Sequence, residues 1–274
     1  MDDSVKQFQR ISDHKFDGWA ADLMEKPYIF SEWEKTQVGE NNDGSYRQEY
    51  QKLPIKDNSE ELVNCGDYGL VSKDYYLNVY LDEITAKKEK LLDQLQNRNL
   101  YPFAWLRKSI ATKLRKVDLL LRLHGLFLVI NSGWRDTQTQ TDSKKLMSKE
   151  FGNKYVDKAI ASVSVSPHST GGACDLELWS LQTGCPLSYS YPGDIINSFV
   201  LEQKQQLNEI NIARMKMRRI LFHLLTAPEF DFVAHPGEFW HFGDGDQLSA
   251  YLKKQKFAKF GYIKPPTDFK FHGN

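Results

Sequence analysis

Two short segments constrain this chain more than anything else in it: His168-Ser169-Thr170-Gly171-Gly172-Ala173-Cys174-Asp175 and, well downstream, Gly237-Glu238-Phe239-Trp240-His241. Together they supply two imidazoles, a carboxylate and a spare glutamate, which is the inventory of a hydrolytic zinc site. Zinc is commonly held by neutral imidazole nitrogens and a carboxylate, with one position left for the water that it acidifies. A second carboxylate that is not a ligand can then take that water's proton. For this chemistry to exist, the fold has to bring the two segments together.

Local chemistry makes that meeting feasible. Ser169 to Gly172 has turn composition and lies between His168 and a strand expected over 172–179. On one straight strand, positions seven apart face opposite ways. The turn resets the register, so His168 and Asp175 can converge. Along the strand, Cys174, Leu176 and Leu178 alternate with Asp175, Glu177 and Trp179, the first set facing the core and the second a cleft. Glu238 and His241, three apart, would share a helical face, but Gly237, Gly243 and the aromatic pair between favour a short strand over 237–243. An ideal strand would separate the two side chains, and a twist or bulge has to reunite them. The helix-borne pattern H-E-x-x-H is absent.

Taken singly, each of these residues has an ordinary reading. Asp175 could cap a turn and Glu238 could be solvated. Arg135 by itself reads as a salt-bridging residue, and His14, His124, His223, His235 and His272 read as surface or hydrogen-bonded side chains.

The remaining periodicity frames the site. Helices are expected over 75–97, 105–123, 137–151, 198–226 and 246–256. Gly125 is placed to end the second of these, and the apolar run Leu126 to Ile130 that follows reads as a buried strand. That strand delivers Gly133-Trp134-Arg135 to the loop at its end. Residues 1–74, rich in charge and Asn with scattered aromatics, read as an N-terminal extension, and 75–274 as the catalytic domain.

Composition excludes some partners. With 36 Lys and Arg against 36 Asp and Glu, no global field recruits nucleic acid or an anionic membrane. Three widely spaced cysteines suit a reducing compartment better than a disulfide framework. The acidic start shows no secretory signal, and Leu126 to Ile130 is too short to span a bilayer. A soluble, cytoplasmic protein is expected.

The residues around the constellation carry a family likeness. Ser166-Pro167-His168-Ser169-Thr170-Gly171-Gly172-Ala173-Cys174-Asp175-Leu176 resembles the S-x-H-x-x-G-x-A-x-D motif of the zinc D-alanyl-D-alanine dipeptidases, the vancomycin-resistance dipeptidase among them. Glu238-Phe239-Trp240-His241-Phe242 is similar to their E-W-W-H-F, and Gly133-Trp134-Arg135 to their G-Y-R. The likeness covers roughly residues 100–262. It implies an α+β fold, a small antiparallel sheet flanked by helices, shared with D,D-carboxypeptidases and the hedgehog signalling domain. It also implies His168, Asp175 and His241 as zinc ligands, Glu238 as general base and Arg135 as stabiliser of the oxyanion, with Ser166 and Trp240 on the substrate side.

Three places depart from the pattern, one of them Phe239 in place of a tryptophan of E-W-W-H and another the region of the family's F-D pair. Ser132 stands where the family has an aspartate, and Asp194 is a candidate for the acid that meets the substrate's ammonium. The leading expectation is hydrolysis of D-alanyl-D-alanine or a related small peptide ending in D-alanine. The alternatives are a D,D-carboxypeptidase acting on longer peptidoglycan peptides and a non-catalytic binding protein that keeps its zinc. A cysteine hydrolase using Cys174 is more remote, because that side chain alternates toward the core.

Overall fold

The computed structural model describes residues 13–31, 45–56, 58–72, 104–137, 166–188 and 209–264, with isolated positions beside them. The helix expected over 75–97, most of that over 137–151, residues 198–208, Asp194 and His272 lie outside the described residues. The class is α+β. In chain order come α1 (Gly18–Glu25), α2 (Ser45–Tyr50), β1 (Leu62–Asn64), β2 (Val71–Ser72), β3 (Trp105–Arg107), α3 (Lys108–Leu123) and β4 (Leu126–Ser132). They are followed by β5 (Ala173–Ser180), α4 (Glu209–Leu225), β6 (Val233–Ala234), β7 (His241–Gly243) and α5 (Gln247–Leu252). Short 3-10 helices at Cys65–Tyr68 and Pro167–Thr170 lie between them.

One sheet runs in the order β2-β4-β5-β7-β6, and β1 with β3 forms a separate antiparallel ribbon. All neighbours in the larger sheet are antiparallel except β2, which joins β4 in parallel, so the expected all-antiparallel sheet gains a parallel edge. β5 is central, and its side chains are buried along nearly its whole length.

α3 lays Ile110, Ala111, Leu114, Val117 and Leu121 against β4, the spacing of a one-faced helix. Asp118 on the same face is fully buried. Its Oδ1 accepts from Leu128 N at 3.0 Å, and its Oδ2 accepts from Arg115 and Arg122 at 2.8 and 2.7 Å. Helix and strand are thus joined by a satisfied charge as well as by apolar contact.

Three expectations change. The helix expected from 105 starts at Lys108, because Trp105–Arg107 pairs with β1. The strand expected over 237–243 shrinks to His241–Gly243. The last helix is only Gln247–Leu252, capped by Asp246, whose Oδ1 accepts from Leu248 N and Ser249 N.

Described residues of the segment expected as an extension, 1–74, are built into the main core. Tyr28, Phe30, Cys65 and Leu70 share one apolar cluster with Leu128, Leu176 and Phe242. Tyr28 donates its hydroxyl hydrogen to Met215 O at 3.0 Å, and both Tyr28 and Phe30 meet the Phe222 ring edge-on at 5.2 Å. No helix among the described residues is long and apolar enough to cross a membrane.

Candidate metal centre

His168 sits in the 3-10 turn Pro167–Thr170, and the backbone carbonyls of that turn each have a donor. Ser166 O accepts from Ser169 N and Oγ, Pro167 O from Thr170 Oγ1, and His168 O from Gly171 N. Ser169 O accepts from Ile263 N, Thr170 O from Arg107 Nε, and Gly171 O from Arg107 N. A fully satisfied turn is a rigid one. The glycine pair of the motif is required by space. Gly171 has φ of 72°, and a Cβ there would stand 2.5 Å from Leu62 Cδ2; at Gly172 it would stand 2.8 Å from Asp244 O.

After the turn, β5 carries Asp175, which is in register opposite His241 on β7. The three predicted ligands meet there. His168 Nε2 lies 3.2 Å from His241 Nδ1, and Asp175 Oδ1 lies 3.4 Å from the former and 3.3 Å from the latter. Metal bonds of about 2.0–2.2 Å in a tetrahedral site put neighbouring ligand atoms about 3.3–3.6 Å apart. The near-equal triangle is one face of such a tetrahedron.

The protonation of His168 and Asp175 agrees with that geometry. His168 Nδ1 donates to Gly133 O at 2.8 Å, which leaves Nε2 bare in the neutral ring. Burial, aided by the Arg135 charge, pushes the His168 pKa down to about 4. Burial opposes ionisation of Asp175, but the His168 and Arg135 charges outweigh it and hold the carboxyl well below the ordinary range. Burial would lower His241 too, yet the adjoining Asp175 and Glu238 raise it. Asp175 Oδ1 is buried and accepts no hydrogen bond, an orphan that a cation would satisfy. The donor set of two imidazoles and one carboxylate fits zinc.

Glu238 reaches the cluster by a route the sequence reading missed. Glu238 N donates to His235 O and His241 N to Glu238 O, both at 3.2 Å, so the segment is two consecutive turns. The carboxylate comes within 3.7 Å of His241 Nδ1 and stays partly exposed. The turn dipeptide Pro236-Gly237 was the available signal.

Arg135 lies at the rim of the triangle. Its Nε donates to Ser132 Oγ at 2.8 Å, Nη1 to Gln140 Oε1 at 3.5 Å and Nη2 to Asp175 Oδ2. Ser132 therefore takes up the orienting contact at the position where the family pattern has an acid. Gln140, 2% exposed, is a site residue that no spacing argument announced. Ser166 is buried at the start of the His168 turn. Trp240 is half-buried, its ring 4.6 Å from Phe239 at right angles, and its carbonyl accepts from Leu176 N at 2.9 Å. Glu177 shares the Asp175 face of β5 as expected and accepts from Trp179 Nε1 at 2.7 Å. Cys174 faces the core, its thiol hydrogen directed to Phe242 O, and burial raises its pKa well above the ordinary thiol value, so it is no nucleophile.

The sheet, the ligand triangle and the flanking carboxylate define a metallopeptidase-type centre. The peptidase M15 family model, described as D-ala-D-ala dipeptidase, matches residues 78–262, and the chain belongs to that family. A D-alanyl-D-alanine dipeptidase of Synechocystis sp. is 34% identical over 111 residues, 36% of this chain and 44% of that protein. The chain thus spans less than half the length of this curated relative. Among solved structures, the vancomycin-resistance D,D-dipeptidase VanXYg in complex with a D-Ala-D-Ala phosphinate analogue is similar at 21% identity, covering 58% of each chain with a TM-score of 0.34. A VanB-type vancomycin-resistance D,D-pentapeptidase VanY in complex with Zn(II) is similar at 16% identity, covering 57% of this chain and 82% of that one, with a TM-score of 0.32.

Proposed function

We propose that this protein is a zinc-dependent D,D-dipeptidase that hydrolyses D-alanyl-D-alanine or a related small peptide ending in D-alanine. The observation that carries the reading is the triangle of His168, Asp175 and His241 donor atoms, edges 3.2–3.4 Å, with the Glu238 carboxylate beside it. Zinc held by these three residues would polarise the scissile carbonyl and acidify a water. Glu238 takes the water's proton and returns it to the departing amine; its place in a double turn keeps the carboxylate within one water of the triangle. Arg135, fixed through Ser132 and Gln140, directs a permanent positive charge to where the carbonyl oxygen gains negative charge. Ser166 and Trp240, neighbours of two ligands, line the substrate side.

In this reading the catalytic unit is 75–274, with residues 58–72 packed under its metal turn. Three free cysteines, two of them buried, support a cytoplasmic location. The test is release of D-alanine from D-Ala-D-Ala by the zinc-loaded protein beside Glu238→Ala. Release in the wild type, with a loss of about 10²–10⁴-fold in the variant while zinc stays bound, is the expected result. No release from zinc-loaded wild type would refute the dipeptidase reading.

A further inference from the structure

The Asp175 carboxylate is divided between two partners. β4 carries an irregularity between Ile130 and Ser132, after which Ser132 stands directly across from Asp175. Bulges of this kind re-aim side chains beside active sites. Three residues on, Arg135 folds back over that register and takes Oδ2 of Asp175, while Oδ1 of the same carboxylate faces the two imidazoles at 3.4 and 3.3 Å. Ser132 Oγ fixes Nε of the guanidinium without bringing a second negative charge to compete for it.

We infer that Arg135 is a positioning residue for the metal. By holding Oδ2 it commits Asp175 to ligation through one oxygen, and so sets both the affinity for zinc and the preference for zinc over ions that take more oxygens. This rests on the zinc reading above. A carboxylate free to rotate can place both oxygens on one cation, which raises the coordination number. Zinc in three-ligand protein sites stays near four-coordinate, whereas manganese and calcium favour oxygen-rich shells of six or more. A guanidinium is well suited to prevent that rotation. It is planar, permanently charged, and presents its donors in a fixed fork that lysine cannot reproduce. Outer partners of metal ligands typically change metal affinity or activity by 10–100-fold.

The role differs from oxyanion stabilisation in what it predicts. A guanidinium that acts only on the developing oxyanion leaves metal affinity unchanged. The experiment is zinc and manganese affinity of full-length Arg135→Lys, Arg135→Met and Ser132→Ala, measured by competition with a chromophoric chelator, together with the absorption spectrum of the cobalt-loaded proteins. Expected are a zinc affinity about 10–100-fold weaker in the two Arg135 variants, a smaller change for manganese, and weaker cobalt bands as the coordination number rises. Ser132→Ala, which keeps the charge and loosens only its aim, shifts zinc affinity in the same direction by less.

Zinc affinity within twofold of wild type and an unchanged cobalt spectrum in folded Arg135 variants would overturn the inference, whatever happens to hydrolysis. Should both Arg135 variants fail to fold, an unchanged affinity in Ser132→Ala overturns it instead. A wild-type protein that binds no zinc removes this inference and the proposed function together; one that binds zinc without hydrolysing the dipeptide removes only the latter.

Discussion

Arg107 and Arg135 are both buried arginines beside the metal-binding turn, yet they sit among different partners. Arg107, with no exposed surface, donates to Thr170 O at 2.7 Å, to Gly261 O at 3.0 Å and to Glu60 O, and lies over the Phe260 ring. Those carbonyls belong to the metal turn, the C-terminal segment and the segment before β1. Arg135, 9% exposed, has as its partner the ionised Asp175, one corner of the donor triangle. A carbonyl dipole keeps the same demand whatever happens at the site, so Arg107 is a fixed staple of the architecture. The demand of a carboxylate changes when a cation arrives, and Arg135 is therefore coupled to loading.

The largest expected effect breaks the staple. Arg107→Met leaves two buried carbonyls and one partly buried carbonyl without their charged donor, at about 1–3 kcal/mol each. Urea unfolding should show a loss of at least about 3 kcal/mol, equal in metal-free and zinc-loaded protein. A loss confined to the loaded protein would erase the distinction between the two arginines. Arg135→Met should differ between the two states: the lost ion pair to Asp175 costs stability with and without metal, and the 10–100-fold weaker zinc binding adds a further loss of about 1.4–2.7 kcal/mol only with metal present. Comparing Tm with and without a chelator reads this directly.

Thr170→Val probes the turn itself. It removes the hydroxyl that donates to Pro167 O at 2.6 Å and accepts from Gly172 N at 3.0 Å. A stability decrease of about 1–2 kcal/mol in urea unfolding is expected.

The smallest effect lies away from both arginines, at His14, whose Nδ1 bonds Ser180 Oγ at 2.8 Å. Burial lowers its pKa, so the unfolded chain takes up the proton more readily than the folded one. Its contribution is complete above about pH 6.5 and is lost as pH falls through the folded value. His14→Gln should flatten that acid limb slightly in pH-resolved unfolding.

Much of the site was legible because it is written in local pattern. The alternation along β5 put Asp175 on the cleft face, and the glycine-bearing turn announced that His168 could return to it; the structure unites both with His241. What could not be read depends on pairing between distant segments. Trp105–Arg107 joins the apolar rhythm of α3, and only its bonding to β1 turns it into a strand. Phe239 and Trp240 have strand-like side chains, but backbone bonds from His235 to His241 bend the chain and put Glu238 in reach. Nothing near Gln140 or Arg107 signals a partner, since each is defined by residues far along the chain. The polar composition of the N-terminal part concealed Tyr28 and Phe30, which pack against α4.

The pairing of Asp175 with His241 also has a consequence for biogenesis. These two donors are brought together by a strand pair whose members are separated by a long stretch of chain, and non-local pairings of that kind are slow to form. A slip of one residue between β5 and β7 would turn one ligand to the opposite face. A nascent chain therefore offers no complete donor triangle until β7 has docked in register, so in the proposed zinc enzyme only finished molecules would take up the ion.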